Sequence, residues 1–261
     1  MSLLLDKSRK QLKHRSHEAI AYLFNYIKLA PLDQVRVVIF GQGRTGSTLL
    51  ENLLCSSGHF RQNGELLNTS KGEILFPTDF IRGLSKWKSK DNFIFHVKIY
   101  QLTRDRRRPI DPSLFIHTLY SEGWKIIYLR RKNKVKHALS TIIAEHRRAY
   151  HKFDDHKEEF NLFVDCEKFI EIVNGRFISE QMEKQVLDQI EYFEAIYEDD
   201  LERSDTHQIT ADKIFNYLSL EQRDVHTRYR KINTFPIEKL ISNYDEFADC
   251  LKKHGWQYFL K

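Results

Sequence analysis

The stretch Gly41-Gln42-Gly43-Arg44-Thr45-Gly46-Ser47-Thr48 is built for chemistry on an anion. Three glycines in six residues let backbone N–H groups converge on one point, and Ser47 and Thr48 add hydroxyls. The spacing Gly41-x-x-x-x-Gly46-Ser47-Thr48 is that of a Walker A loop without its lysine, because Ser47 stands in that place. The missing lysine would reach the β- and γ-phosphates of a nucleoside triphosphate. Phosphoryl transfer also calls for a strand-end aspartate to hold magnesium, whereas the candidate strand ends read Lys98-Ile99-Tyr100 and Leu129-Arg130-Arg131. Gly41-x-Gly43-x-x-Gly46 fits the dinucleotide string too, but no acidic residue closes the next strand to hold a ribose. The loop reads as a phosphate cradle stripped of triphosphate chemistry.

The elements around the loop must hold it rigid. Val35 to Phe40 is an apolar, β-branched run, read as a buried strand, and Leu49, Leu50, Leu53 and Leu54 mark the helix that follows. Phe93 to Ile99 and Trp124 to Leu129 are further strands, and Phe193 to Tyr197 reads either as a short strand or as a helix end. His96 and Lys98 are two apart in the second strand, so both point to one sheet face. An amphipathic helix from Ser16 to Ala30, closed by Pro31, is expected on the sheet edge. Helical patterns also run through Ser140 to about Tyr150, from Ala149 to about Glu198 with a break at Asn174-Gly175, from Asp212 to Leu220 and from Ile237 to His254. Strands alternating with helices predict an α/β, three-layer, P-loop-like fold with a central parallel sheet flanked by helices. One domain, 1–261, is expected, with 1–34 as an N-terminal helical segment.

Composition bounds the partners. With 261 residues, 41% hydrophobic and 13% aromatic, the chain can bury a sizeable core, and 30% charged residues mark a soluble protein. The net charge of +6 suits anionic ligands, nucleic acid and acidic membranes among them. The interleaved aromatic and basic stripe of a base-stacking surface is missing, so nucleic acid is not expected. No apolar run approaches the ~20 residues of a membrane span. The basic run Arg104 to Arg108 reads as a solvated loop. Cys55, Cys166 and Cys250 are widely scattered, with no metal-ligand spacing and no disulfide framework, which predicts a cytoplasmic protein. The sequence leaves the oligomeric state open, a homo-oligomer included.

Gly43-Arg44-Thr45-Gly46-Ser47-Thr48-Leu49-Leu50 resembles the 5′-phosphosulfate loop of sulfotransferases that use 3′-phosphoadenosine 5′-phosphosulfate (PAPS). Lys125 to Arg131, followed by a helix carrying Ser140, is similar to that family's 3′-phosphate motif. Asn63-Gly64-Glu65-Leu66-Leu67-Asn68 resembles the segment supplying the catalytic glutamate in bacterial carbohydrate sulfotransferases of the Nod-factor and Stf type. Val97-Lys98-Ile99 looks like their next strand, and Ile241 to Glu246 like the lead into their closing helix.

The resemblance implies in-line transfer of a sulfuryl group from PAPS to a hydroxyl of a carbohydrate, glycolipid or similar acceptor, with no metal required if the protein neutralises the leaving phosphate. Gly43, Thr45, Gly46, Ser47 and Thr48 would hold the 5′-phosphate, Arg44 would face the sulfuryl group, and Glu65 would be the general base, with His59, His96 and Lys98 as substitutes. Arg130, Arg131 and Lys132 are the candidates for the 3′-phosphate. The family's usual spacing from the serine points to Lys132, whereas a bidentate guanidinium favours Arg131. Ser140 would share that phosphate, and Arg228 and Lys231 would close over the adenosine bisphosphate. The helical region at about 145–195 would line the acceptor side. A P-loop nucleotide kinase or NTPase with an atypical loop, or a non-catalytic nucleotide-binding protein, is the alternative.

Overall fold

The computed structural model describes residues 15–27, 34–87, 91–147, 162–229 and 236–260. Five strands form one sheet in the order β2-β3-β1-β4-β5, all neighbours parallel. They are β1 (Arg36–Gly41), β2 (Phe60–Gln62), β3 (Asn92–Val97), β4 (Lys125–Arg130) and β5 (Tyr192–Ile196). The stretch Phe193 to Tyr197, ambiguous in sequence, is thus mostly strand. The α/β architecture expected from the alternating pattern is the one observed.

Parallel strands need crossovers, and helices cover both sheet faces. Val38, Phe40, Phe93, Phe95, Ile126 and Tyr128 face one layer, made chiefly by α3 (Pro77–Trp87) and α5 (Pro112–Ser121). Val37, Ile39, Ile94, Ile127 and Leu129 face the other, made by α2 (Ser47–Ser56) and α8 (His207–Tyr217). The three central strands, β1, β3 and β4, therefore alternate between two buried faces, which is why their sequences are largely apolar. A third cluster joins α6 (Lys134–Arg147), α7 (Cys166–Val186) and α10 (Tyr244–Lys253).

β1 is central. Its register, Phe40 opposite Val97 and Gly41 opposite Leu129, sets the carboxyl ends of β3, β1 and β4 side by side. The chain leaves β1 toward β2 on one side, and crosses from β3 to β4 on the other. A crevice at the carboxyl ends beside such a reversal is the usual ligand position in open α/β sheets.

Several expectations are corrected. The helix over residues 15–26 packs on α3, not on the sheet edge. A Cβ at Gly83 would stand 1.6 Å from the Ala21 carbonyl oxygen, and Asn25 Nδ2 donates to Asp79 Oδ1 at 3.1 Å. The expected end of this helix at Ala30-Pro31 lies outside the described residues. α7 runs unbroken through Asn174-Gly175. Gly in a helix interior costs only about 1 kcal/mol, and buried Phe169, Val173 and Val186 fix this helix on both sides of it. The basic run is not wholly solvated: Arg106 is buried, with its guanidinium on the Ile74 and Arg108 carbonyls. The expected C-terminal helix divides into a short turn of helix (Ile237–Leu240) and α10, because Ile241 leaves to pair with Leu162. Cys166 and Cys250, far apart in sequence and read as unpaired, form a disulfide between α7 and α10, with Cα atoms 6.3 Å apart. Cys55 remains a free thiol. Among the described residues no helix is long and apolar enough to cross a membrane.

Candidate active site

The loop is shaped by its own side chains and by α7. Thr45 Oγ1 donates to the Gln42 carbonyl at 2.8 Å, folding the turn back on itself. Gln42 Nε2 donates to the Arg176 carbonyl at 3.1 Å and to Glu183 Oε2 at 3.3 Å. Gly46, at φ 95°, is the N-cap of α2, and a Cβ there would stand 2.8 Å from the Tyr197 ring. Position 46 therefore tolerates only glycine, for strain and for space. The N-termini of α5 and α7 are capped by Asp111 and Asp165, whose carboxylates bond first-turn N–H groups. By contrast, α2 has no side-chain cap and no acidic residue in its first turn. The dipole of a helix favours an anion at such an uncapped N-terminus.

Lys98, whose Cδ would stand 3.7 Å from a Cβ at Gly43, brings Glu65 beside this loop. The Glu65 carboxylate pairs with the Lys98 ammonium, and it accepts from Gln101 Nε2 at 2.7 Å and Asn68 Nδ2 at 3.0 Å. Burial raises the pKa of Glu65, but Lys98, His96 and Gln101 outweigh it and hold the carboxyl below its ordinary value. Glu65 is therefore an ionised acceptor. Burial lowers Lys98, against the pull of Glu65. Tyr100 Oη would be 2.5 Å from a Cβ at Gly43, so the phenol closes one wall of the loop. His96 lies behind, 2% exposed, with Nδ1 2.8 Å from Ser47 Oγ and Nε2 3.4 Å from Glu51 Oε2. The structure thus joins Ser47, Glu65, His96 and Lys98 in one group. His59 stands apart, packed edge-to-face on Phe215 and bonded to the Glu221 carbonyl.

The three cations after β4 diverge. Arg130 turns to Glu194 and Glu180. Lys132 is exposed and pairs with Asp199. Arg131 is buried and faces the loop, with its Nη1 3.5 Å from the Arg44 carbonyl, its guanidinium 4.1 Å from the Tyr197 ring, and Nε donating to Glu198 at 3.2 Å. Glu198 also accepts the Lys132 N–H at 2.8 Å. Ser140 is half-buried on α6, one turn beyond His137, whose Nε2 reaches the Gly43 carbonyl at 2.7 Å. Arg228 is exposed in a segment strapped to α2 through Thr227 and Asn52, 2.7 Å apart. Lys231 lies outside the described residues.

The sequence reading missed Glu51, His137, Gln101 and Arg176. Glu51 is fully buried and accepts the N–H groups of Asn63 (2.8 Å) and Gly64 (2.7 Å), which ties the segment carrying Glu65 to α2. One signal was present: a single carboxylate among leucines in STLLENLL. Arg176 donates to Thr141 Oγ1 at 2.7 Å and Gln42 Oε1 at 3.4 Å, and burial lowers its pKa. It comes from α7, far along the chain, and nothing local marks it.

No family model matches this chain, and no curated protein matches it. Among solved structures, a similar one is mouse sulfotransferase SULT7A1 complexed with PAP, 14% identical, with a TM-score of 0.43 over 79% of this chain. The chain spans 65% of the length of that protein.

Proposed function

We propose that the chain is a PAPS-dependent sulfotransferase acting on a hydroxyl of a carbohydrate, glycolipid or similar acceptor. One observation supports this above others: the uncapped, lysine-free loop at α2 has Lys98 against Gly43, and Lys98 carries the ionised Glu65 as its partner. An anion cradle beside a carboxylate is the equipment for moving a charged group onto a hydroxyl without a phosphoryl-binding lysine at position 47.

In this reading the first-turn N–H groups and the hydroxyls of Ser47 and Thr48 take the 5′-phosphate, while Arg44 and Lys98 face the sulfuryl oxygens. The acceptor oxygen forms a bond to sulfur as the bond from sulfur to the 5′-phosphate oxygen breaks. The acceptor's proton passes to Glu65, and Lys98, losing its carboxylate partner, turns its full charge on the departing group. Arg131, Ser140, Arg228 and Lys231 are assigned to the 3′-phosphate side, with Arg131 chosen among its neighbours because it alone of the three turns toward the loop. The kinase reading has Ser47 against it.

The test is transfer of label from 35S-labelled PAPS to a panel of sugar and glycolipid acceptors. Glu65→Gln should leave adenosine 3′,5′-bisphosphate binding intact and cut turnover by at least ~100-fold, the usual scale for a general base. Near-normal turnover in that variant would move the base elsewhere, and no transfer to any hydroxyl would remove the reading.

A further inference from the structure

Ser47 occupies the place of a phosphate-binding lysine, yet a hydroxyl can give its proton to only one partner. Its Oγ lies 2.8 Å from Nδ1 of His96, and Nε2 of the same ring lies 3.4 Å from Oε2 of Glu51. Glu51 and His96 are both buried. Because Glu51 Oε1 is taken by the N–H groups of Asn63 and Gly64, Oε2 is the oxygen that faces the imidazole, 3.4 Å from Nε2, and it makes no hydrogen bond of its own among the described residues.

This chain of atoms has two states. With Glu51 ionised, Nε2 carries the ring proton, because a carboxylate can only accept. Nδ1 is then an acceptor and takes the Ser47 proton, so the hydroxyl shows an incoming anion only its lone pairs. With one more proton on the Glu51–His96 pair, Nδ1 becomes a donor to Ser47 Oγ. The Ser47 proton is then free to be donated to the anion.

We propose that Ser47, His96 and Glu51 form a relay that couples anion binding in the loop to uptake of one proton by the buried Glu51–His96 pair, with Glu51 a positioning residue acting through His96. The proposal rests on the loop being a phosphate site. Burial pushes Glu51 up to about 7, against the two backbone N–H bonds. The charged groups facing the pair are Glu65, whose charge raises Glu51, its partner Lys98, and Arg44 beyond Lys98. Cys55, one turn along α2, is pushed up to about 12 by burial and stays neutral.

Glu51→Gln gives the relay a sharp test. The amide oxygen still accepts from Asn63 and Gly64, while its N–H₂ points at His96 Nε2 and fixes the ring proton on Nδ1. Ser47 is then a permanent donor. Calorimetry of adenosine 3′,5′-bisphosphate binding at pH 8, in two buffers of different ionisation enthalpy, counts the protons taken up. The ligand's own titration is common to all variants and cancels in the comparison. Wild type is expected to take up more protons than Glu51→Gln, by up to one per site. Its affinity should fall relative to the variant by up to about tenfold per pH unit above neutrality. At pH 8.5 Glu51→Gln should bind several-fold tighter than wild type, which a merely structural role for Glu51 would not produce. Ser47→Ala leaves the buried pair packed and should show the low proton uptake of Glu51→Gln, so it decides the matter alone if that variant does not fold. Equal uptake in wild type and variants, or weaker binding by Glu51→Gln at every pH, overturns the relay and leaves the phosphate site standing. Absence of bisphosphate binding by wild type at any pH overturns both.

Discussion

His137 Nε2 donates a 2.7 Å hydrogen bond to the carbonyl oxygen of Gly43, so α6 holds the anion loop by its backbone. A carbonyl can only accept, which fixes the proton on Nε2. Burial, then the nearby Arg176 and Arg131, push the His137 pKa far down and keep the ring neutral. The strand-end side of the site and the loop side are thereby one mechanical unit.

His137→Phe keeps a ring in the space and removes the donor. The Gly43 carbonyl is left buried without its partner, which costs about 1–3 kcal/mol. Denaturant unfolding should report that loss, and bisphosphate affinity should fall roughly tenfold as the loop shifts, following the same energy. Unchanged values in both would mean that the bond does not hold the loop.

Glu183 carries a pH dependence of stability. It is fully buried under the loop, and burial pushes it up to about 7, against hydrogen bonds from Gln42 and Tyr128. Between its unfolded value near 4.5 and about 7, the native state holds a proton that the unfolded chain has lost. This contribution is therefore present at low pH and disappears as pH rises through about 7. Glu183→Gln should flatten the stability curve over that window, and gain up to about 3 kcal/mol on wild type at pH 8. Parallel curves for the two proteins would contradict the assignment.

The disulfide between Cys166 and Cys250 closes a long loop, 84 residues in separation, around the third cluster. Thiol labelling of the unreduced, unfolded chain should find one free cysteine of three. Cys250→Ser should cost about 2–4 kcal/mol in oxidising buffer and nothing in reducing buffer. Three reactive thiols would show the pair to be reduced in the purified protein.

Local features were legible in the sequence. β1 was read within one residue, and the loop and helix after it lie where expected, because glycine spacing and hydrophobic period act over a few positions. His96 and Lys98 were picked out by the two-residue period of a strand, and Glu65 by the resemblance of its segment to one in sulfotransferases. What could not be read depends on distant contacts. Arg131 was separable from Arg130 and Lys132 only once β5 and the turn after it placed Glu194, Glu198 and Asp199 against them. Gly175 suggested a break because local propensity ignores the packing of Phe169 and Val173. Arg106 looked solvated because the Ile74 carbonyl that holds it is 32 residues away. Glu51, inside an apolar helix face, found its partners in Gly64 and His96 only in three dimensions.

The donor site is tested most directly by thermal unfolding with adenosine 3′,5′-bisphosphate in the presence of EDTA, beside ATP with magnesium. At a hundredfold excess over Kd, the bisphosphate should add about 2.7 kcal/mol, a rise of roughly 5–10 °C in Tm. ATP with magnesium should give a much smaller rise. Stabilisation by ATP with magnesium and none by the bisphosphate would contradict the sulfotransferase reading and return the loop to nucleoside triphosphate chemistry.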